Sequence, residues 1–173
     1  MISIRRGLDL PISGQPEQRV HDGPRVRSVA AASLGRLGVP EARGVVQTLL
    51  RDSDEHVRIS AVEALLRLGD ASVILNAADL ARHPDPSIRG DAAHALALAT
   101  TSNALPILET LLRDQQPLPR LMAARALGKS PLKSLIPAAK IGLQDSDAAV
   151  RITSAGSLLR ILSRKDKVSN RKG

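Results

Sequence analysis

The sequence contains no phenylalanine, tyrosine, tryptophan or cysteine. Without cysteine, disulfides, thiol chemistry and cysteine-ligated metal sites are excluded. The 43% of residues that are hydrophobic are almost all Ala, Leu, Val and Ile, which favours helices that approach each other closely over a core built on rings. No stretch reaches the roughly 18 apolar residues of a membrane span, and the amino terminus lacks an apolar signal segment. We therefore expect a cytoplasmic protein.

The clearest pattern that is present is an arginine that recurs every 31 residues. It stands at Arg27, Arg58, Arg89, Arg120 and Arg151. The fourth residue after each arginine is Ala31, Val62, Ala93, Ala124 or Ala155, and the seventh is Leu34, Leu65, Leu96, Leu127 or Leu158. A period of this size indicates a solenoid, whose units bury their apolar faces against each other. The sequence predicts an all-α, right-handed α-solenoid of about five 31-residue units, the last one incomplete.

The period divides the chain into three predicted segments. Residues 1–23 contain Pro11, Gly14 and Pro16, which interrupt helices, so we predict an irregular segment that covers the first helix. Residues 24–162 form the repeat domain. The polar residues 163–173 predict a disordered basic tail. The first helices of the five units are expected at Pro24–Leu37, Glu55–Leu68, Pro86–Ala99, Leu118–Gly128 and Ala148–Leu162.

The net charge of +8 lies mainly at the carboxyl-terminal end, while the repeat region is nearly neutral. The tail could contact nucleic acid or an anionic membrane by releasing counterions, or could simply keep the protein soluble. A nucleic-acid partner is not favoured, because the chain has no aromatic side chain on which a base could stack.

Candidate catalytic or metal-binding residues are not evident. The four histidines, His21, His56, His83 and His94, include no pair at i, i+4 spacing that would place two imidazoles on one helix face. Asp91 and His94 share a helix face, but such pairs are usually surface interactions. We therefore predict no catalytic residue, no metal, no cofactor and no enzymatic activity.

The repeated unit reads Asp-x-x-Val-Arg, followed by an alanine-rich helix that ends in Leu-Gly. It resembles the HEAT repeat, in particular the short HEAT-like repeats named after phycobilisome lyases. The resemblance implies a ladder of bonds between the aspartates Asp54, Asp85 and Asp147 and the arginines of the same units. Gly23 and Gln116 replace the acid in the first and fourth units, so the ladder should be interrupted at Arg27 and Arg120. Anion binding by the five arginines is the alternative.

The first residues carry a second resemblance. Met1-Ile2-x-Ile4-x-x-Gly7-Leu8-Asp9-Leu10-Pro11-Ile12-x-Gly14-x-Pro16-x-Gln18, followed by Val20-x-Asp22-Gly23, is similar to the amino terminus of the A subunit of the sodium-translocating NADH:quinone reductase. The likeness covers about the first 30 residues. It implies a link to that membrane-bound complex, of which the A subunit is a peripheral part. It leaves open a docking segment, a gene fusion or a misplaced start site.

The candidate partner-binding residues occupy the second, fifth and ninth positions after each arginine, which vary while the apolar positions stay regular. This polar ridge consists of Arg36, Ser60, Glu63, Arg67, Asp91, His94, Met122, Arg125, Lys129 and Arg160. The favoured function is a scaffold that binds another protein on its concave face. A merely solvated face, a bilin lyase or chaperone of the phycobilisome-lyase type, and an accessory factor of the quinone reductase are the alternatives.

Overall fold

The computed structural model describes residues 16–131 and 135–169, and the side chains of residues 23–131 and 135–164. This part of the chain contains nine α-helices and short 3-10 turns, and it has no β-strand. The helices are α1 Pro16–Leu37, α2 Arg43–Thr48, α3 Glu55–Arg67, α4 Ile74–Leu80, α5 Pro86–Leu96, α6 Leu105–Leu111, α7 Pro117–Lys129, α8 Ile136–Ile141 and α9 Ala148–Ser169. The predicted helical solenoid is confirmed.

Each repeat pairs a long first helix with a shorter second helix. The first helices α1, α3, α5, α7 and α9 pack on each other in chain order, and α2, α4, α6 and α8 pack beside them. Among the described residues, the fifth repeat is represented by its first helix, α9. The stack of first helices therefore forms the continuous layer on which the repeated arginines lie.

Aspartates at the N-caps begin three of the first helices. The Asp54 carboxylate accepts hydrogen bonds from the amides of His56 and Val57 at 2.9 and 3.2 Å. At the start of α5, Asp85 accepts from the amide of Ser87. At the start of α9, Asp147 accepts from the amides of Ala149 and Val150. Such caps satisfy amides that have no partner within the helix.

Gly69 ends α3 with a φ of 79°, in the left-handed region that glycine adopts without strain. The amide of Gly69 donates to the Leu66 carbonyl, and the next amide, that of Asp70, donates to the Leu65 carbonyl. This pattern closes the carboxyl end of the helix and turns the chain sharply toward α4.

Leucines and small residues form the core between first helices. Leu65, Leu96 and Leu127, seven residues after their arginines, are fully buried. A Cβ added at Gly35 would lie 2.5 Å from the Cα of Ala64, so α1 and α3 touch almost backbone to backbone. This close approach explains why the core needs alanine and glycine and no rings.

Two helices extend beyond the predicted segment limits. α1 begins at Pro16, eight residues before the predicted Pro24, because Pro16 takes the first helical position, where the missing amide is harmless. α9 continues to Ser169, past the predicted Leu162. The prediction of an irregular segment is therefore wrong for residues 16–23, and the prediction of a disordered tail is wrong for residues 163–169. The expected cap, residues 1–15, and the final residues 170–173 lie outside the described residues.

The last helix exposes the surface that inner helices use for stacking. On α3, Ile59 and Leu66 are only 7% and 5% exposed, because α5 packs over them. The equivalent residues of α9, Ile152 and Leu159, are 73% and 66% exposed. Within the described residues, the apolar face of α9 is thus open.

Candidate functional site

Three of the repeated arginines bind an aspartate of the following repeat. Nε and Nη2 of Arg27 donate to the two carboxylate oxygens of Asp52 at 2.7 and 2.9 Å. Arg89 binds Asp114 and Arg120 binds Asp145 in the same bidentate geometry, at 2.7 to 2.9 Å. Each pair joins residues 25 positions apart, and paired planar bonds of this kind combine strength with fixed orientation. These pairs link one repeat to the next.

The remaining guanidinium nitrogen, Nη1, fixes the arginine to its own repeat. In the second to fifth repeats it donates to two carbonyls of the loop before the first helix, such as those of His83 and Pro84 for Arg89 at 2.8 Å. The pattern recurs at Arg58, Arg120 and Arg151. The arginine side chains are thus held in one orientation whether or not a carboxylate follows.

The predicted partners of the arginines are therefore wrong, although a ladder exists. Asp54, Asp85 and Asp147 cap their helices, because their carboxylates face the amides of the first turn. The ladder acids are Asp52, Asp114 and Asp145, which lie six residues before an arginine and recur with the same period. That period was the signal that could have found them. The predicted interruptions at Arg27 and Arg120 are also wrong, since both are paired.

The ladder changes at Arg58 instead. The residue 25 positions on is His83 where the other pairs have aspartate. Arg58 Nη2 binds Glu55 of its own helix at 3.1 Å, and Glu55 Oε1 is also 3.9 Å from His83 Nε2. The second and third repeats are thus joined without the bidentate pair that is found between other repeats.

The ladder carboxyls should make the protein sensitive to acid. The arginine hydrogen bond is the main cause that lowers the pKa of Asp52, Asp114 and Asp145 below the ordinary value of 3.8. Stability from a lowered pKa is present above 3.8 and is lost as pH falls through the folded-state value. We expect the melting temperature to fall steeply below pH 3.8, less so in Asp114→Asn. Circular dichroism measures the melting temperatures of both proteins. If they fall equally with pH, the pair of Arg89 and Asp114 does not cause the acid sensitivity.

The residues of the predicted polar ridge are exposed or half-buried along the first helices. Arg36, Arg67, Arg125, Lys129 and Arg160 are exposed, and the other ridge residues are half-buried. Glu63 and Arg67 form an ion pair at 2.6 Å, so their charges largely cancel. Met122 is partly buried and packs over Gly90 of the preceding repeat. The ridge is therefore mixed in character.

Asp91 is the ridge residue with the most unusual environment. Burial is the main cause that raises its pKa above 3.8, while His56 and His94 oppose this effect and Glu63 adds to it. The carboxyl thus lies among ionisable groups of two repeats. Asp91 makes the middle of the ridge acidic. Because its pKa is raised in the folded chain, its protonation at low pH favours the folded state, which opposes the effect of the ladder carboxyls.

The described residues contain no cluster of three His, Asp or Glu side chains suited to a metal ion. In the same part of the chain, none of the helices combines the length and apolar character that a membrane span requires. His56 and His94 both act on Asp91, whereas His83 belongs to the altered ladder contact. His21 lies among residues whose side chains are not described.

Residues 17–97 match the sequence family of HEAT repeats. Curated relatives match over short stretches. The A subunit of the Na(+)-translocating NADH-quinone reductase from Saccharophagus degradans is 70% identical over 45 residues, which is 26% of this chain and 10% of the relative. Its counterpart from Cellvibrio japonicus is 37% identical over 78 residues, 44% of this chain and 17% of the relative. The chain thus spans less than a fifth of these relatives, and the predicted resemblance is confirmed for a partial stretch.

Two solved structures share the fold. The CpcE and CpcF complex of phycocyanin lyase from Nostoc sp. PCC7120 matches with a TM-score of 0.61 and 21% identity, over 94% of this chain and 70% of that one. Human deoxyhypusine hydroxylase matches with a TM-score of 0.54 and 17% identity, over 84% of this chain and 71% of that one. At these identities the likeness concerns the fold alone.

The prediction that the protein is not an enzyme is contradicted by these two neighbours. Both are named as enzymes, one a lyase and the other a hydroxylase. A regular helical repeat without an obvious catalytic constellation is therefore no ground for excluding catalysis. Residues 17–97 thus match the HEAT-repeat family, and the helical stack shares its fold with the phycocyanin lyase complex.

Proposed function

We propose that the protein binds another protein along the polar ridge. The observation that carries this proposal is a contrast in burial and in sequence variation between neighbouring positions of the first helices. Residues that hold the stack, such as Leu65 and Leu96, are buried and regular, while ridge residues at fixed offsets from them are accessible and differ in charge. Repeat proteins commonly use such extended surfaces for recognition.

The distribution of charge along the ridge suggests the chemistry of the partner. Asp91 makes the middle acidic, whereas Arg125 and Lys129 on α7 and Arg160 on α9 are exposed cations. Complementary charges steer association and fix the register of a complex. We expect the partner to present acidic residues where it meets α7 and α9.

Affinity capture from native lysate tests this proposal. Arg125→Glu with Lys129→Glu should reduce recovery of the partner about tenfold or more, because like charges then face each other. Arg82→Glu with Arg113→Glu, which reverses two exposed cations beside the second helices, is the matched control and should bind normally. Equal recovery by both double variants would exclude the ridge.

A bilin lyase or chaperone-like role is an equally supported second candidate. It is favoured by the match to the phycocyanin lyase complex, which extends over 94% of this chain. That neighbour is itself an assembly of two proteins, which also agrees with a protein partner. In the capture experiment, this candidate requires a phycobiliprotein among the recovered proteins.

An accessory role at the sodium-translocating quinone reductase is the third candidate. It rests on the 70% identity over 45 residues with the A subunit of that complex. The same capture experiment separates it from the others, because it requires components of the reductase in the recovered fraction. Deletion of residues 1–15 should abolish their recovery if the resemblance marks a docking segment.

A further inference from the structure

The contact between the second and third repeats contains an arginine with an incomplete set of acceptors. Nη1 of Arg58 is held by the carbonyls of Asp52 and Ser53, as in the other repeats. Nη2 binds Glu55 at 3.1 Å. In the part of the chain that the structure describes, Arg58 Nε has no acceptor, whereas Nε of Arg27, Arg89 and Arg120 each binds a carboxylate at 2.7 Å.

His83 replaces only half of the function of a ladder aspartate. Its Nδ1 accepts the amide of Asp85 at 3.1 Å, just as Oδ1 of Asp52 accepts the amide of Asp54 at 3.0 Å. The local turn is therefore preserved. In a neutral imidazole whose Nδ1 is an acceptor, Nε2 carries the hydrogen. Where the other repeats place an acceptor for arginine, this one places a second donor.

A cavity of about 190 Å³ lies at this contact. Its wall includes Arg58 and His83, the apolar side chains of Leu50, Val62 and Leu80, and the polar residues Asn76 and Asp79. The Asp79 side chain is 82% exposed and pairs with Arg82, so its charge is largely screened. The cavity shares Leu50 and Asn76 with an open groove of about 570 Å³, which reaches Gln47 and Ser72. The cavity thus combines two nitrogen donors with an apolar wall and has access from the surface.

We propose that this cavity binds a carboxylate group that is not part of the chain and that completes the altered ladder contact. The carboxylate would accept from Arg58 Nε and from His83 Nε2, with its carbon stem against Leu50, Val62 and Leu80. Charge-assisted bonds to a fixed guanidinium are strong and directional. Glu55 Oε1 lies 3.1 Å from Arg58 Nη2 and 3.9 Å from His83 Nε2, and the Glu55 side chain is 38% exposed. A bound carboxylate would therefore displace Glu55 toward solvent. The site is independent of a partner at the polar ridge.

The decisive variant is His83→Asp, which would supply the missing carboxylate from within the chain. It should form the bidentate pair found at Arg89 and raise the melting temperature, while it removes the place for an outside carboxylate. An NMR titration with sodium acetate, at constant ionic strength in chloride, should show saturable shifts of the Arg58 Nε–H signal in the native chain. Binding should weaken about tenfold or more in His83→Asp.

Two further variants and a second probe identify the source of the carboxylate and separate a loss of binding from a loss of folding. Arg58→Lys should also weaken acetate binding, because lysine cannot reproduce the planar fork, and Arg113→Gln should bind as the native chain does. If acetate fails but a blocked Gly-Asp-Gly tripeptide saturates the same signals, the carboxylate comes from a polypeptide. Absence of binding by both probes, or native binding by a folded His83→Asp variant, would overturn the proposal.

Discussion

Leu96→Ala should lower the free energy of unfolding by about 2–5 kcal/mol, the usual range for a buried leucine truncated to alanine. Leu96 is fully buried between first helices, so the substitution leaves a cavity that its neighbours can only partly fill. Alanine is a better helix former than leucine, and the loss is therefore one of packing. Urea unfolding followed by circular dichroism measures it, and the melting temperature should fall by roughly 5–15 °C.

Leu75→Ala is the matched control for this prediction. The chemical change is the same, but Leu75 on α4 is 76% exposed. Its truncation should alter the free energy of unfolding by no more than about 0.5 kcal/mol. Similar losses in the two variants would show that the core does not lie between the first helices.

Arg89→Gln should destabilise the protein by about 2–4 kcal/mol. The substitution removes the bidentate bonds to Asp114 and the bonds to the carbonyls of His83 and Pro84. It also leaves the Asp114 carboxylate, whose side chain is only 11% exposed, without its main partner. Arg89→Lys should recover little of the loss, because a lysine cannot make both bonds in one plane.

The exposed pair of Arg82 and Asp79 provides the control. Its atoms are 3.8 Å apart, and the side chains are 77% and 82% exposed. Such pairs contribute little, so Arg82→Gln should change the free energy of unfolding by less than about 0.5 kcal/mol. A double-mutant cycle of Arg89→Gln with Asp114→Asn isolates the ladder pair. A coupling energy near zero would contradict the structural role of the arginine.

The helical stack could be predicted from the sequence because periodicity reports burial directly. Leu65, Leu96 and Leu127 recur at one phase, and the structure buries all three. The limits of the helices were less predictable. Pro16 has opposite effects inside a helix and at its first position, and the sequence alone does not say which position it takes. α1 consequently begins earlier than expected.

The pairing of aspartates with arginines could not be predicted from sequence proximity. Asp54 is closer in sequence to Arg58 than Asp52 is to Arg27, and proximity favoured pairing within a repeat. The true pairs join residues 25 positions apart. They form because the loop before one first helix lies beside the arginine of the preceding repeat, a relation that depends on how the repeats stack.

The sequence by itself determined that this is an all-α protein of stacked 31-residue repeats with a ring-free core, because period and composition are local properties of the chain. Only the tertiary structure decided which carboxylate meets which arginine, and that His83 leaves Arg58 beside a cavity. Such contacts depend on distances between repeats. These distances are set by the packing of small residues such as Gly35 against Ala64, which no pattern along a single repeat contains.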